Sequence, residues 1–350
     1  MHNYRNFFLI LFCVVLASCG KNDSPGISSN VKPSIDTNQK AEPVQITDTN
    51  HHLYFRPKVG SVQRYYVVDR RSMSSSDSSP NGKVAKHDAT STTEFYIHQT
   101  VKSVKLDSSV DLSYRIDSIV MTSNADTTKT NYSSNSIKDK GNDDYREFNI
   151  IIGKDFSIRA NKFGDPDSVI DVSSIANTLL APLPDSVKKD PKVRKMASQQ
   201  AGQVANAYVM RVLVHNPTRA LVKDTTWRNG SDVNLDVAQG LSFPVHVDAT
   251  ETVRGLEKRG NMVLAVLEDH TSTTLKNRVL EEGPATATIS DFLANSHSVV
   301  HIEDATGLLI HRSVQEKRNF TIVVESKEHP GDKRTVTQNG SEEMMMELVE

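Results

Sequence analysis

Val110-Asp111-Leu112-Ser113-Tyr114-Arg115-Ile116 alternates large apolar with polar side chains for seven residues. A period of two puts Val110, Leu112, Tyr114 and Ile116 on one side of an extended chain and Asp111, Ser113 and Arg115 on the other, as in a half-buried strand. The same alternation runs outward on the N-terminal side. Tyr65, Val67 and Asp69 alternate with Arg64, Tyr66 and Val68, and Phe95, Ile97, Gln99 and Val101 alternate with Glu94, Tyr96 and His98. Ser72 to His87, rich in Ser, Asp, Pro and Gly, reads as an exposed loop between strands. Phe148 to Ile152 and Phe156 to Arg159 flank Gly153-Lys154-Asp155, a hairpin turn signal.

The period then becomes helical. Ser173 is placed to cap a short helix over about 173–181, stopped by Pro182. Asp190 before Pro191 combines an N-cap with a first-turn proline. Val193, Ala197, Ala201, Val204, Tyr208 and Val212 follow at spacings of three or four, a narrow stripe on a helix over about 191–215 that Gly202 weakens. Such a stripe suits docking on a sheet. After Asn216-Pro217, strand composition returns at Val245 to Val253, Met262 to Leu267, Thr286 to Phe292, Val299 to Ile302, Leu308 to Val314 and Phe320 to Val324, with Thr335 to Gln338 and Met344 to Val349 closing the sheet. The expected fold is α+β and predominantly antiparallel β. It has two curved β-sheet halves, 53–217 and 218–350, with the long and short helices between them, in one compact unit.

Two stretches repeat. Thr100-Val101-Lys102 before Val110-Asp111-Leu112 resembles Thr252-Val253-Arg254 before Met262-Val263-Leu264. Lys58-Val59-Gly60-Ser61 resembles Leu221-Val222-Lys223-Asp224, and Gly153 to Arg159 resembles Gly307 to Arg312. Three landmarks in the same order imply an internal duplication, with the extra residues of the first half in the Ser-rich stretch.

The N-terminus carries an address. Arg5 precedes the apolar run Phe7 to Leu16, which ends in Leu16-Ala17-Ser18-Cys19. Ten apolar residues are too few to span a bilayer, which needs about 20. Small residues before a cysteine resemble the lipobox of bacterial lipoproteins. The resemblance implies a signal peptide over 1–18, acylation of Cys19 and a membrane anchor there. Residues 19–52, polar and without apolar periodicity, read as a disordered tether of about 30 Å mean span. Cys13 and Cys19 are the two cysteines, so the mature body holds no thiol for a disulfide, a metal or catalysis. Net charge is −2, which gives no electrostatic reason to expect nucleic acid.

The body also resembles a family of uncharacterised lipoproteins from Bacteroidetes-type bacteria, with duplicated β-rich halves and a central helix. Lys58-Val59-Gly60, Phe156-Ser157-Ile158 leading to Val169-Ile170-Asp171, Leu221 to Trp227, and Asp304-Ala305-Thr306-Gly307-Leu308-Leu309 carry this resemblance. Lys223 stands where the family has Gly before its Asp. The resemblance implies architecture and the bacterial cell envelope, most simply the outer membrane, with the side left open.

Catalytic motifs are missing from the sequence: no Gly-x-Ser-x-Gly elbow, phosphate loop or His-Glu-x-x-His occurs. His297 and His301, four apart, would share a metal on a helix, but Ser298-Val299-Val300 reads as strand and separates them by about 13 Å. They are expected as solvated or cross-strand histidines. His51-His52 offers at most adventitious metal binding. Asp143-Asp144 and Asp165-Pro166-Asp167 lack a calcium-loop pattern. Trp227 is read as a core anchor at a strand start, and Tyr65, Tyr66, Tyr96 and Tyr114 as sheet packing. No catalytic residue, cofactor or metal site is nominated; the one site residue is Cys19. Expected partners are the membrane through Cys19 and a hydrophobic ligand or an envelope protein. The function expected is a non-catalytic binding or scaffold module. Alternatives are a lipid carrier, a subunit of an outer-membrane assembly, and a hydrolase of envelope polymers.

Overall fold

The Val110 stretch opens β4 (Val110–Ala125), and Val110, Leu112, Tyr114 and Ile116 are all fully buried. The computed structural model describes residues 33–35, 40–46, 48, 50–79, 81–238, 241–282, 285–329 and 331–349. Cys19, the expected signal segment and most of the expected tether lie outside them. The fold is mostly antiparallel β sheet with few helices. The strands are β1 (Glu42–Val44), β2 (Val62–Ser78), β3 (Val84–Val104), β4, β5 (Thr128–Ser133), β6 (Asp155–Ala160), β7 (Pro166–Asp171), β8 (Thr226–Ala238), β9 (Leu241–Arg259), β10 (Met262–Leu275), β11 (Val279–Glu282), β12 (Ala285–Glu303), β13 (Leu309–Ser326) and β14 (Lys333–Val349). The helices are α1 (Arg146–Asn149), α2 (Ser173–Leu180), α3 (Asp185–Lys188) and α4 (Pro191–Val212).

The two expected halves are not separate sheets. Among the described residues, all 14 strands join in the order β1-β9-β10-β12-β13-β14-β2-β3-β4-β6-β7, with β8 on β9, β11 on β12 and β5 on β4. The halves stay contiguous within it, and the β14–β2 pairing from Thr335↔Ser78 to Val349↔Arg64 fuses them. One face of the sheet carries the main core: Tyr65, Phe95, Leu112, Tyr114, Val253, Leu267, Val300 and Met346 pack with Ala197, Ala201, Ala205 and Val209 of α4. Alanines along this helix let it approach α2 closely, while Tyr208 reaches the sheet edge-on to Phe95. Asp190 caps it by accepting from the Lys192 N–H at 2.8 Å, with Pro191 in the first turn as read; it ends at Val212 rather than 215. At α2 the N-cap is Val172 and Ser173 is the first helical residue; Asp171, one residue earlier, accepts from the Ser173 N–H at 2.8 Å.

Several expectations are corrected. Ser72 to His87 is not a loop: Ser72 to Ser78 pairs residue by residue with Val84 to Thr90. These strands are polar on both faces, so no buried stripe betrays them; the ladder is held by its backbone bonds and cross-strand pairs. Phe148 to Ile152 is α1 and a turn rather than a strand, and the Gly153 N–H donates to the Ile116 carbonyl instead of closing a hairpin. The short strands read after residue 285 merge pairwise into β12, β13 and β14, and the strand start read at Trp227 opens β8, which runs on to Ala238. Part of the expected tether is docked: the Ser34 N–H donates to the Leu348 carbonyl, Ile35 is buried with Leu264 and Ile310, and Glu42 to Val44 pairs with Leu256 to Lys258.

The Thr100 and Thr252 repeats coincide with repeated geometry, and the Lys58 and Leu221 repeats do so one residue out of the register read, with Gly60 matching Asp224 rather than Lys223. The Gly60 N–H donates to the Val101 carbonyl and the Val101 N–H to the Ser61 carbonyl; Asp224, Val253 and Thr225 make the same pair of bonds. Gly60 and Asp224 both have positive φ, 79° and 60°. A bulge falls at Lys102 and again at Arg254, where the register slips by one residue. The third landmark does not correspond: Gly153 leads into β6, next to β4, whereas Gly307 leads into β13, one strand removed from β10. The geometric counterpart of the Gly307 turn is the turn at Gly164. Arg56 N–H donates to the Thr306 carbonyl at 2.8 Å, and Asn216 N–H to the Phe163 carbonyl at 2.7 Å. Arg56 of the first half is thus bonded to a turn of the second, and Asn216, just before the junction of the halves, to a turn of the first.

A buried ionic network reinforces the helix. Asp69 receives Arg71 Nη2 at 2.8 Å and lies 3.3 Å from Arg211 Nη2 of α4, while Arg71 Nη2 also reaches Glu342 Oε1 at 3.3 Å. Burial, with Asp69 nearby, pushes the Glu342 carboxyl up. At the far end of the same face, Phe243, Ala287, Ile289, Phe320 and Ile322 form a second apolar cluster that strands alone enclose.

Candidate functional site

Glu268 and His270 sit two apart on β10, alternating with Leu267, which faces the core. They therefore lie on the opposite, outer face. His297 of β12 is the direct cross-strand partner of His270, and the two imidazoles stack at 4.5 Å between centroids and 16° between planes. Glu268 Oε1 is 2.8 Å from His297 Nε2 and 3.1 Å from His270 Nε2. Glu268 Oε2 accepts from Nε of Arg254, the residue at the β9 bulge. The guanidinium beside it, then the His297 contact, holds the Glu268 carboxyl down at about 2 against the opposing effect of burial. The three donor atoms of Glu268, His270 and His297 lie within 4.8 Å of one another.

This constellation edges a groove of about 400 Å³ across β9, β10, β12 and β13, lined by Asp248, Thr250, His270, Asn295, His297 and Lys317, with Leu293 among them.

His297 and His301 share strand β12, not a helix, and each meets a different histidine. His301 pairs across to His311 of β13, ring centroids 5.6 Å apart, with Glu257 at 3.4 Å. Burial pushes the His301 imidazole down to about 4; His311 and Arg259 act in the same direction and Glu257 opposes them. His51 is bonded to Asp304 at 2.6 Å and His52 stacks on Tyr54, so the pair at 51–52 is tied into the fold. Asp165 holds His215 at 2.7 Å, and Asp144 donates its N–H to Asn142 in a short turn. Trp227 packs against the main core at the start of β8; Tyr65 and Tyr114 are buried, while Tyr66 and Tyr96 pair at 5.0 Å. Sequence reading reached His297 but not Glu268, His270 or Arg254. The available signal was Glu268-Asp269-His270, a carboxylate and an imidazole on one strand face.

No family model matches the chain, and no curated protein matches it. Among solved structures, a lipovitellin studied for its lipid–protein interactions is similar at a TM-score of 0.40 with 9% identity, over 84% of this chain and 26% of its own. The chain thus spans about a quarter of the lipovitellin chain. The Pseudomonas aeruginosa proteins OccK7 (OpdD) and OpdQ align at TM-scores of 0.20 and 0.17 with 6% and 7% identity, over 82% and 81% of this chain and 99% and 98% of theirs. Likeness at this level assigns no role. Among the described residues, no helix is long and apolar enough to cross a membrane.

Proposed function

We propose that the chain is a lipid-anchored protein of the bacterial cell envelope, of the lipoprotein family it resembles, whose body is a non-catalytic binding module using the groove across β9, β10, β12 and β13. The observation that carries this is the groove itself, an open concavity on the face away from the core that Asp248, Thr250, His270, Leu293, Asn295, His297 and Lys317 line. Glu268, at the groove's edge, is held down at about 2 by Arg254 and His297, which makes it a poor general acid or base. The bacterial envelope follows from the signal at 1–18 and Cys19, and the recurrence of the Gly60 and Asp224 turns and the Lys102 and Arg254 bulges supports descent of the two halves from one duplicated unit.

A second reading, a carrier of an apolar ligand, draws on the buried apolar cluster of Phe243, Ile289, Phe320 and Ile322, to which strands alone contribute among the described residues. A photo-crosslinking residue placed at Asn295 in living cells separates the readings, with the same residue at exposed Thr122 as control. The binding module yields a discrete envelope adduct from 295 and none from 122. No adduct at 295, together with bound lipid in native mass spectra, favours the carrier instead.

A further inference from the structure

We propose that Glu268, His270 and His297 form a binding site for a divalent first-row transition metal, zinc in particular, open toward the groove. Two imidazole nitrogens and one carboxylate oxygen, with no thiolate, make an N/O donor set suited to zinc, copper or nickel rather than to calcium or magnesium. The three donor atoms already lie within 4.8 Å of one another. A tetrahedral ion at about 2.0–2.1 Å from each ligand needs donors roughly 3.3 Å apart, a distance that small side-chain rotations on two neighbouring strands supply.

The scaffold is fixed by register. His270 faces His297 directly, and Glu268 stands two residues along the same face. Arg254 engages Oε2 of Glu268 and leaves Oε1 as the single ligand atom, the kind of outer contact that orients a metal-bound carboxylate. Both imidazoles would bind through Nε2, which is the nitrogen each already turns toward Glu268, so the proton of each neutral ring sits on Nδ1. The fourth position is left for water or for a donor from whatever occupies the groove. Only the identity of that fourth ligand rests on the groove being the binding face; metal uptake is measured without any partner.

The test is calorimetric titration of detergent-solubilised full-length protein with zinc chloride at pH 7.5, joined to the visible spectrum of the cobalt form. One zinc per chain is expected, with a tetrahedral N/O cobalt spectrum. His270→Gln or His297→Gln should weaken binding at least 100-fold and His301→Gln should leave it unchanged. Should the variants misfold, zinc protection of His270 and His297 from diethyl pyrocarbonate in the unaltered protein, read by peptide mass spectrometry, gives the same answer. Absence of stoichiometric binding overturns the proposal. So does binding that survives both glutamine variants, or that disappears on replacing His51 and His52 instead. Stoichiometric zinc without a crosslink at 295 would keep the metal site and remove the groove as a binding face.

Discussion

Replacing Gly307 by Ala should cost far more stability than the same change at Gly141. Both glycines have positive φ, 68° and 81°, so each alanine incurs the left-handed penalty of about 1–2 kcal/mol. At Gly141 the new Cβ meets nothing within 4 Å. At Gly307 it would lie 2.3 Å from the Tyr54 carbonyl oxygen and 2.6 Å from Asn216 Nδ2. The lead-in segment must then shift by about 1 Å to restore an ordinary contact. That shift breaks or strains the Arg56 N–H to Thr306 and Phe55 N–H to Lys162 bonds, 2.8 Å each, at about 1 kcal/mol apiece. The expected loss is about 3–4 kcal/mol for Gly307→Ala against about 1–2 for Gly141→Ala. Urea unfolding followed by tryptophan fluorescence reads both, since Trp227 packs on the main core. Gly164→Ala should resemble Gly307→Ala, because its Cβ would lie 2.5 Å from the Val214 carbonyl oxygen. If Gly307→Ala loses no more than Gly141→Ala, the close packing of the Tyr54 and Asn216 segments on the Gly307 turn is not a feature of the folded protein.

Asp69→Ala strips Arg71 and Arg211 of a buried partner and should destabilise by about 3–5 kcal/mol in the same assay. Ala201→Leu, at a fully buried position of α4, should cost about 1–3 kcal/mol by overpacking, measured as a lowered melting temperature. Gly202→Ala should instead raise stability by about 0.5–1 kcal/mol, because its Cβ meets only Val169 Cγ2 at 3.9 Å. Folded His301 titrates near 4, below the usual 6.5, so the native state binds fewer protons than the unfolded chain between those values. Stability from this group is complete above pH 6.5 and is lost as pH falls toward 4, by up to roughly 3 kcal/mol at 1.36 kcal/mol per unit. His301→Gln should flatten the pH dependence of urea midpoints across that window.

What the sequence reveals depends on whether a segment has one buried face. Val110 to Ile116 shows its strand because one row of side chains enters the core, and Asp190-Pro191 marks the start of α4 because cap chemistry is local. Ser72 to Ser78 hides its strand because both rows are polar, and neighbouring strands rather than local composition hold it extended. Phe148 to Ile152 is a short apolar run that suits a strand or a buried turn equally, and packing of Phe148 beside Tyr132 decides for the turn. Joining of the halves through β14 and β2 depends on pairing across more than 250 positions, which no local pattern records. The candidate site divides the same way. Glu268 and His270 are a visible same-face pair, but His297 meets them only through the β10–β12 register, and Arg254 reaches Glu268 only from a bulge.

The proposed role depends first on where the body is held, and the direct measurement is the intact mass of the protein extracted from cell membranes. The expected mass is that of a chain beginning at Cys19 and carrying acyl groups, with Cys19→Ala unprocessed and without lipid. An unacylated chain retaining residues 1–18, or a Cys19→Ala variant that is processed and membrane-held as before, would contradict the account.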